Sequence, residues 1–350
     1  MSAISDVWDK LWKGERETPT AVTIPAENVE GQEKPQPFRR NNDYFQIIIN
    51  ELFLAASRKW FTAIDPLVFV LTDFTYDSKS NTVPFLVGPG SLKGLLAGGV
   101  AEPAGMIYRN TRVAGVHPYR GGKVSIALIL CQAPVNDDAR RLINVVEGAA
   151  HALDFSTALM PYVKIGQVVL QGFNSILGLN TIKPLIGWRG EFDREGGTPF
   201  TPGFFALINE PDVDPRTLWV KDGRLYRGAT AASATELRSA DFVLFSVVKP
   251  PDGNRSDLEL LPFWKSWQRV EREASVANAD AWKMAKVSMS SLDLELRQSP
   301  DLTEAQAEAI ADDFIDKMTR IQQRAVKLGQ LSDEKGPTAS RTKALSILEM

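Results

Sequence analysis

Residues 111–131, TRVAGVHPYRGGKVSIALILC, decide the fold. The segments Thr111 to Val116 and Lys123 to Cys131 are rich in Val, Ile, Leu and Ala, which is typical of buried strands. Between them, Pro118-Tyr119-Arg120-Gly121-Gly122 has the composition of a tight turn. The sequence therefore predicts a β-hairpin in this stretch.

Similar apolar segments, bounded by turn residues, lie on both sides of this stretch. They predict strands at Asp43–Leu54, Leu67–Phe74, Gly187–Phe192, Phe204–Ile208, Thr217–Val220 and Phe242–Val248. From Asp137 the apolar residues recur at helical spacing to about Met160, Pro161 interrupts the pattern, and Val163 to Leu177 resumes it. We expect an α+β protein with a β-sandwich-like core over 38–262, in which a helical pair is inserted at 137–178.

The C-terminal part is rich in charged residues and predicts helices. Pro300 separates two helical segments, so residues 263–331 are expected to form an αα-hairpin. Thr303 and Gln306 have the spacing of a capping box, and Phe314 and Ile321 fall on the expected buried stripe. Residues 332–350 are expected to be a flexible tail.

The N-terminal residues 1–13 predict a short amphipathic helix. One helical face carries five large apolar side chains: Ile4, Val7, Trp8, Leu11 and Trp12. Residues 14–37 contain Pro19, Pro25, Pro35 and Pro37 among polar residues, which favours a flexible proline-rich linker. The start of the chain is thus interpreted as a tethered helix.

Composition excludes several classes of protein. The 350 residues include 40 basic and 43 acidic side chains, and this balance argues against a nucleic-acid partner. Cys131 is the only cysteine, so the chain has no internal disulfide. There is no secretory signal pattern and no run of about 18 apolar residues. These features predict a soluble cytoplasmic protein.

The two histidines limit the available chemistry. His-rich metal sites are excluded, because His117 and His151 are the only imidazoles. His151 shares a predicted helix face with Glu147 and Asp154, and this trio could orient a general base or bind a metal. Local charge pairing on a solvated face explains the same pattern and is favoured.

Three further patterns suggest a chemical site. If the predicted hairpin pairs in register, His117 approaches Cys131 as in a nucleophilic dyad, although a strand cysteine usually acts as a small hydrophobe. Residues 88–94, GPGSLKG, resemble a phosphate-binding loop only in composition. Asp212, Asp214 and Asp252 suggest a loop calcium site, but such residues are also common in ordinary turns. We predict no catalytic residue, cofactor or metal.

The N-terminal helix gives the main functional hypothesis. A 13-residue helix has marginal stability alone in water, so its two tryptophans are expected to be buried against another surface. Lys10 and Lys13 are offset by Asp6 and Asp9, which disfavours an anionic membrane. We predict an interaction or scaffold protein that binds a partner protein, or itself, through this helix; docking on its own domain remains open. The alternatives are a hydrolase-type enzyme using acidic residues or Cys131, and a peripheral C2-like membrane module.

Overall fold

A computed structural model describes residues 3–12, 20–32, 34–55, 64–76, 79–90, 106–134, 137–151, 158–178, 182–193 and 196–334. The chain divides into two compact units, Met1–Ser256 and Asp257–Met350. Antiparallel sheets form the core of the first unit, and helices form the second. The predicted α+β class is confirmed.

Along the described residues of the first unit, one helix is followed by six strands, a pair of helices and six further strands. Its helices are α1 (Ala3–Leu11), α2 (Asp137–His151) and α3 (Leu159–Gly178). Its strands are β1 (Thr20–Ile24), β2 (Tyr44–Leu54), β3 (Ile64–Tyr76), β4 (Lys79–Val87), β5 (Met106–Pro118), β6 (Val124–Pro134), β7 (Lys183–Phe192), β8 (Gly203–Ile208), β9 (Leu218–Lys221), β10 (Arg224–Arg227), β11 (Thr235–Glu236) and β12 (Phe242–Val248).

Two of the sheets form the predicted sandwich. The larger has the strand order β1-β8-β12-β2-β5, and the second has the order β4-β3-β6-β7. Trp188 of β7 lies 5.2 Å, between ring centroids, from both Phe205 and Phe245 of the larger sheet. Phe74 of β3 and Phe45 of β2 meet edge to face at 6.3 Å. The inner faces of the two sheets are therefore joined by aromatic side chains.

The opposite face of the four-stranded sheet is covered by helices. Phe69 of β3 meets Phe173 of α3 edge to face at 4.7 Å. Because strand side chains alternate between faces, Phe69 points to the helices while Val68 and Val70 point to the other sheet. The inserted helical pair is thus confirmed. Pro161 lies in the first turn of α3, where a missing backbone N–H breaks no helical hydrogen bond.

The outer face of the larger sheet is covered by a small third sheet with the order β11-β10-β9. Phe53 and Phe242 stack at 5.7 Å in this layer, and Leu225 of β10 packs in the same cluster. Glu51 is completely buried here. Its carboxylate accepts the Leu225 N–H at 2.9 Å and pairs with Arg238 at 2.9 Å.

The predicted hairpin at 111–131 is wrong. β5 pairs with β2, whereas β6 pairs with β3 and β7, so the two strands belong to different sheets. The turn between them carries the chain across the sandwich, with Gly121 and Gly122 at φ values of 80° and 74°. Glycine adopts these values without steric cost. Turn composition predicts a change of direction but does not determine which sheet the next strand joins.

The interpretation of residues 14–37 as a flexible linker also needs correction. Strand β1 lies inside this range and pairs with β8, from Thr20 opposite Ile208 to Ile24 opposite Phe204. The β-branched residues of β1 suit an edge strand. The Asn28 side chain then donates to the carbonyl oxygen of Leu218 at 2.8 Å. Residues 14–19 and 33 lie outside the described residues; the other parts belong to the fold.

The second unit contains α4 (Trp264–Ala274), α5 (Ala279–Gln298) and α6 (Glu304–Glu334). The first predicted helix of the hairpin is divided in two, because Asn278 caps α5 by accepting the Ala281 N–H at 2.7 Å. Trp267 stacks on the buried Phe314 at 4.0 Å.

Two predictions for this unit concern α6: its N-terminal cap and its buried stripe. Thr303 Oγ1 accepts the Gln306 N–H at 3.2 Å, as predicted for the helix cap. Ile321 is half-buried. Residues 335–350 lie outside the described residues. Among the described helices, none combines the length and hydropathy that crossing a bilayer requires.

Candidate functional site

The apolar stripe of α1 lies against the helix-facing side of the four-stranded sheet. Ile4 and Val7 are completely or almost completely buried in the core of the first unit. Trp8, Leu11 and Trp12 are half-buried and pack against the same core. The structure therefore brings all five predicted binding residues together, and it places them on their own domain.

The indoles of Trp8 and Trp12 lie against Gly187 of β7. A Cβ atom at Gly187 would approach Trp12 Cζ2 to 2.9 Å and Trp8 Cη2 to 3.2 Å. The two indole rings lie 5.6 Å apart between centroids. Gly187 pairs with Ile129, and Ile129 pairs with Phe69, so Gly187 shares the helix-facing side of the sheet. Glycine is needed here because any side chain would displace the tryptophans.

A polar contact joins α1 to α3. Lys10 Nζ donates to Asn174 Oδ1 of α3 at 2.6 Å, at an exposed position. The indole Nε1 of Trp12 is buried and has no hydrogen-bond partner in the described part of the chain. An unsatisfied buried donor costs about 1–3 kcal/mol. Docking of α1 therefore carries an energetic penalty that its apolar contacts must offset.

The residues of the predicted nucleophilic dyad do not meet. His117 lies in β5 of the larger sheet, whereas Cys131 lies in β6 of the other sheet. His117 stacks on Phe74 at 4.4 Å, and burial, reinforced by the charges of Arg255 and Arg112, lowers its pKa to about 3. Burial raises the pKa of the Cys131 thiol well above its ordinary value. The chain thus keeps His117 neutral and Cys131 a thiol at neutral pH.

Glu147 does not lie on a solvated helix face. Its buried carboxylate accepts the backbone N–H groups of Gly88 at 3.0 Å and Gly90 at 3.1 Å. A side chain of α2 therefore engages the amides of Gly88 and Gly90, and residues 91–94 of this segment lie outside the described residues. His151 ends α2, and Asp154 lies outside the described residues.

The acidic loop residues have local structural roles. Asp214 caps a short 3₁₀ turn and pairs with Arg216 at 2.8 Å. Asp212 has a φ of 52°, and Asp252 precedes Gly253 in a turn. Within the residues that the structure describes, no group of three or more His, Cys, Asp or Glu side chains has the arrangement of a metal site.

The first unit also contains a pocket with a cationic wall, which the sequence did not predict. It is lined by Gln36, Pro37, Phe38, Arg39, Pro199 and Lys249 and has a volume of about 540 Å³. Buried Asp43 lies behind it and binds both Arg39 and Lys249. The basic pair Arg39-Arg40 was visible in the sequence. Lys249 is more than 200 positions away along the chain, and no local pattern connects the two.

Comparisons of the chain with family models, with curated proteins and with solved structures gave no match.

Proposed function

We propose that the protein is a non-enzymatic interaction protein that binds a partner protein, or a second copy of itself, through α1 after α1 leaves the sheet. The contact between the indoles of Trp8 and Trp12 and the bare backbone of Gly187 carries this proposal. Gly187 has no side chain that interlocks with the two indoles. The two tryptophans can therefore separate from it without repacking of the sheet.

The length of α1 supports the same conclusion. It has nine residues, fewer than the 12–15 or so that an isolated helix needs in water. Its stability therefore depends on whichever surface covers Ile4, Val7 and the tryptophans. A groove on a partner that also accepted the Trp12 N–H would satisfy a donor that has no acceptor among the described residues of the docked state.

The positions of His117 and Cys131 also favour an interaction protein over an enzyme. His117 and Cys131 are sealed in separate sheets, which disfavours the hydrolase alternative based on them. We also propose a cytoplasmic location, because the single cysteine is a buried free thiol and suits a reducing compartment.

Capture from cells of the source organism, with the tagged full-length chain as bait, tests this function. Gly187→Leu adds a side chain where a Cβ already approaches both indoles, so it should release α1. We expect this variant to bind the partner about tenfold or more tightly, since apparent affinity rises with the released fraction. Gly203→Ala is the matched control, because its Cβ meets only ordinary contacts at 3.7 Å.

The double variant Trp8→Ala with Trp12→Ala should lose the partner, because aromatic anchors contribute about 2 kcal/mol or more each. Light scattering of wild type and Gly187→Leu distinguishes self-association from binding of a different protein. If the double variant captures the same proteins as wild type, α1 is not the recognition element. Lower thermal stability without a change in binding would make α1 an intramolecular strut.

A further inference from the structure

A pocket on the first unit combines cationic and apolar walls. Its volume is about 540 Å³, and its lining comes from three separate parts of the chain: the segment 36–39, Pro199 and Lys249. The Phe38 N–H donates to the Phe200 carbonyl oxygen at 2.8 Å, and this bond fixes the segment 36–39 beside Pro199. The walls are therefore positioned by the fold and not by one loop alone.

Asp43 organises the cationic wall. Its carboxylate accepts the Arg39 backbone N–H at 2.7 Å, the Arg39 guanidinium at 3.0 Å and Lys249 Nζ at 2.9 Å. Burial alone would raise the pKa of Asp43, but the hydrogen bonds from Arg39 and Lys249 outweigh it and hold the pKa below its ordinary value. Asp43 is therefore ionised at neutral pH and holds both cations at the pocket wall.

The two cations keep binding capacity beyond Asp43. Arginine and lysine have five and three N–H donors, and the carboxylate engages only some of them. The Arg39 side chain is 70% exposed and that of Lys249 is 35% exposed, so the remaining donors are accessible. Two positive charges against one negative charge leave one positive charge at the pocket, which suits a monovalent anion.

Apart from the polar Gln36, the other lining residues are apolar. Pro37 and Pro199 contribute ring surfaces, and Lys249 Nζ lies 5.7 Å from the centre of the Phe38 ring. A carboxylate has two oxygens that match a guanidinium and an ammonium, and an attached ring would pack on the prolines. The negative charge of Asp43 disfavours a dianion such as phosphate.

We propose that this pocket binds a carboxylate attached to an apolar ring. Benzoate is a suitable probe, and benzamide is its neutral counterpart of the same shape. Calorimetric titration of the full chain at pH 7 and low salt should detect benzoate, with benzamide at least tenfold weaker. Inorganic phosphate should bind more weakly than benzoate.

Three methionine variants test the assignment to this pocket. Lys249→Met and Arg39→Met keep apolar length and remove one cation each, so each should weaken benzoate binding at least tenfold. Arg39 is largely exposed, so Arg39→Met provides a second test if Lys249→Met destabilises the fold. Lys123→Met is the control, because Lys123 pairs with Glu191 away from the pocket lining, and it should bind benzoate as wild type does.

The proposal is overturned by any of three results. These are no detectable binding of benzoate to the wild-type chain, benzoate binding that is unchanged in folded Arg39→Met, and binding of benzamide or phosphate as tight as that of benzoate.

Discussion

Two helices cover the same face of the four-stranded sheet in different ways. α3 has twenty residues, and its Phe173 is completely buried edge to face against Phe69. α1 has nine residues and places its two tryptophans on the backbone of Gly187. Phe173 of α3 interlocks with a core aromatic ring, whereas the two tryptophans of α1 lie on a position without a side chain, and of the described side chains of α1 only Ile4 and Val7 are fully buried in the core. Covering a hydrophobic face therefore does not by itself make a helix a permanent part of the fold.

The energetic difference follows from the contacts. Complete burial of an aliphatic side chain contributes about 1.5–3 kcal/mol, and α1 has two such residues, Ile4 and Val7. Against this gain stand the ordering of a short helix and the unsatisfied Trp12 N–H. We therefore expect the undocking of α1 to require less free energy than unfolding of the whole unit.

The largest expected effect is at α3. Phe173→Ala should lower the free energy of unfolding by about 3–5 kcal/mol, because it leaves a cavity beneath the helix. Val7→Ala in α1 removes a similarly buried side chain but should change the denaturation midpoint much less. Urea denaturation of both variants measures the difference. Equal losses of stability would mean that α1 is as much a part of the cooperative unit as α3.

Acid should affect the two helices differently. His117 is neutral in the fold, with a pKa of about 3 against an ordinary value of 6.5. The unfolded chain therefore binds a proton first, and stability present above pH 6.5 is lost as the pH falls toward 3. Below pH 6.5 the free energy of unfolding falls by about 1.4 kcal/mol per pH unit. The total loss at pH 5 is therefore about 2 kcal/mol.

This loss affects global unfolding, so amide exchange in α3 should accelerate between pH 7 and 5, after correction for intrinsic exchange rates. Exchange in α1 should change much less, because undocking does not expose His117. His117→Phe, which keeps a ring beside Phe74, should remove this component of the acid sensitivity. An unchanged pH slope in a folded His117→Phe chain would contradict the assignment.

The smallest expected effect on global stability is at Gly187. Gly187→Leu should increase protease cleavage within α1 while shifting the urea midpoint only slightly, since α3 and the sheets stay in place. Gly203→Ala should change neither property. A large loss of global stability in Gly187→Leu alone would show that Gly187 and α1 are required for the sheet itself.

The sequence predicts the class of the fold better than its strand pairing. The change from strand to helical spacing at Asp137 correctly locates the inserted helices, because periodicity is a local property. The pairing of β5 with β2 and of β6 with β3 depends on contacts between distant segments, and the turn at Gly121-Gly122 is compatible with either arrangement. Strand β1 was missed because prolines flank its five residues.

The same limit applies to the two sites. The stripe of α1 is visible at helical spacing, but the surface that covers it is Gly187, which lies 175 positions beyond Trp12. The pocket at Arg39 and Lys249 depends on Asp43, which pairs with both cations. Arg39 is four positions from Asp43 along the chain, whereas Lys249 is 206 positions away. Residue spacing carries no information about such encounters.

Native-state hydrogen exchange of the full wild-type chain distinguishes a releasable α1 from a permanently docked one. We predict that amides of α1 exchange by local opening, about 100-fold or more faster than the protected amides of α3 after correction for intrinsic rates, with little dependence on low urea concentrations. If the α1 amides exchange only with global unfolding, at the same free energy and urea dependence as those of α3, then α1 is a fixed part of the fold and the proposed release does not occur.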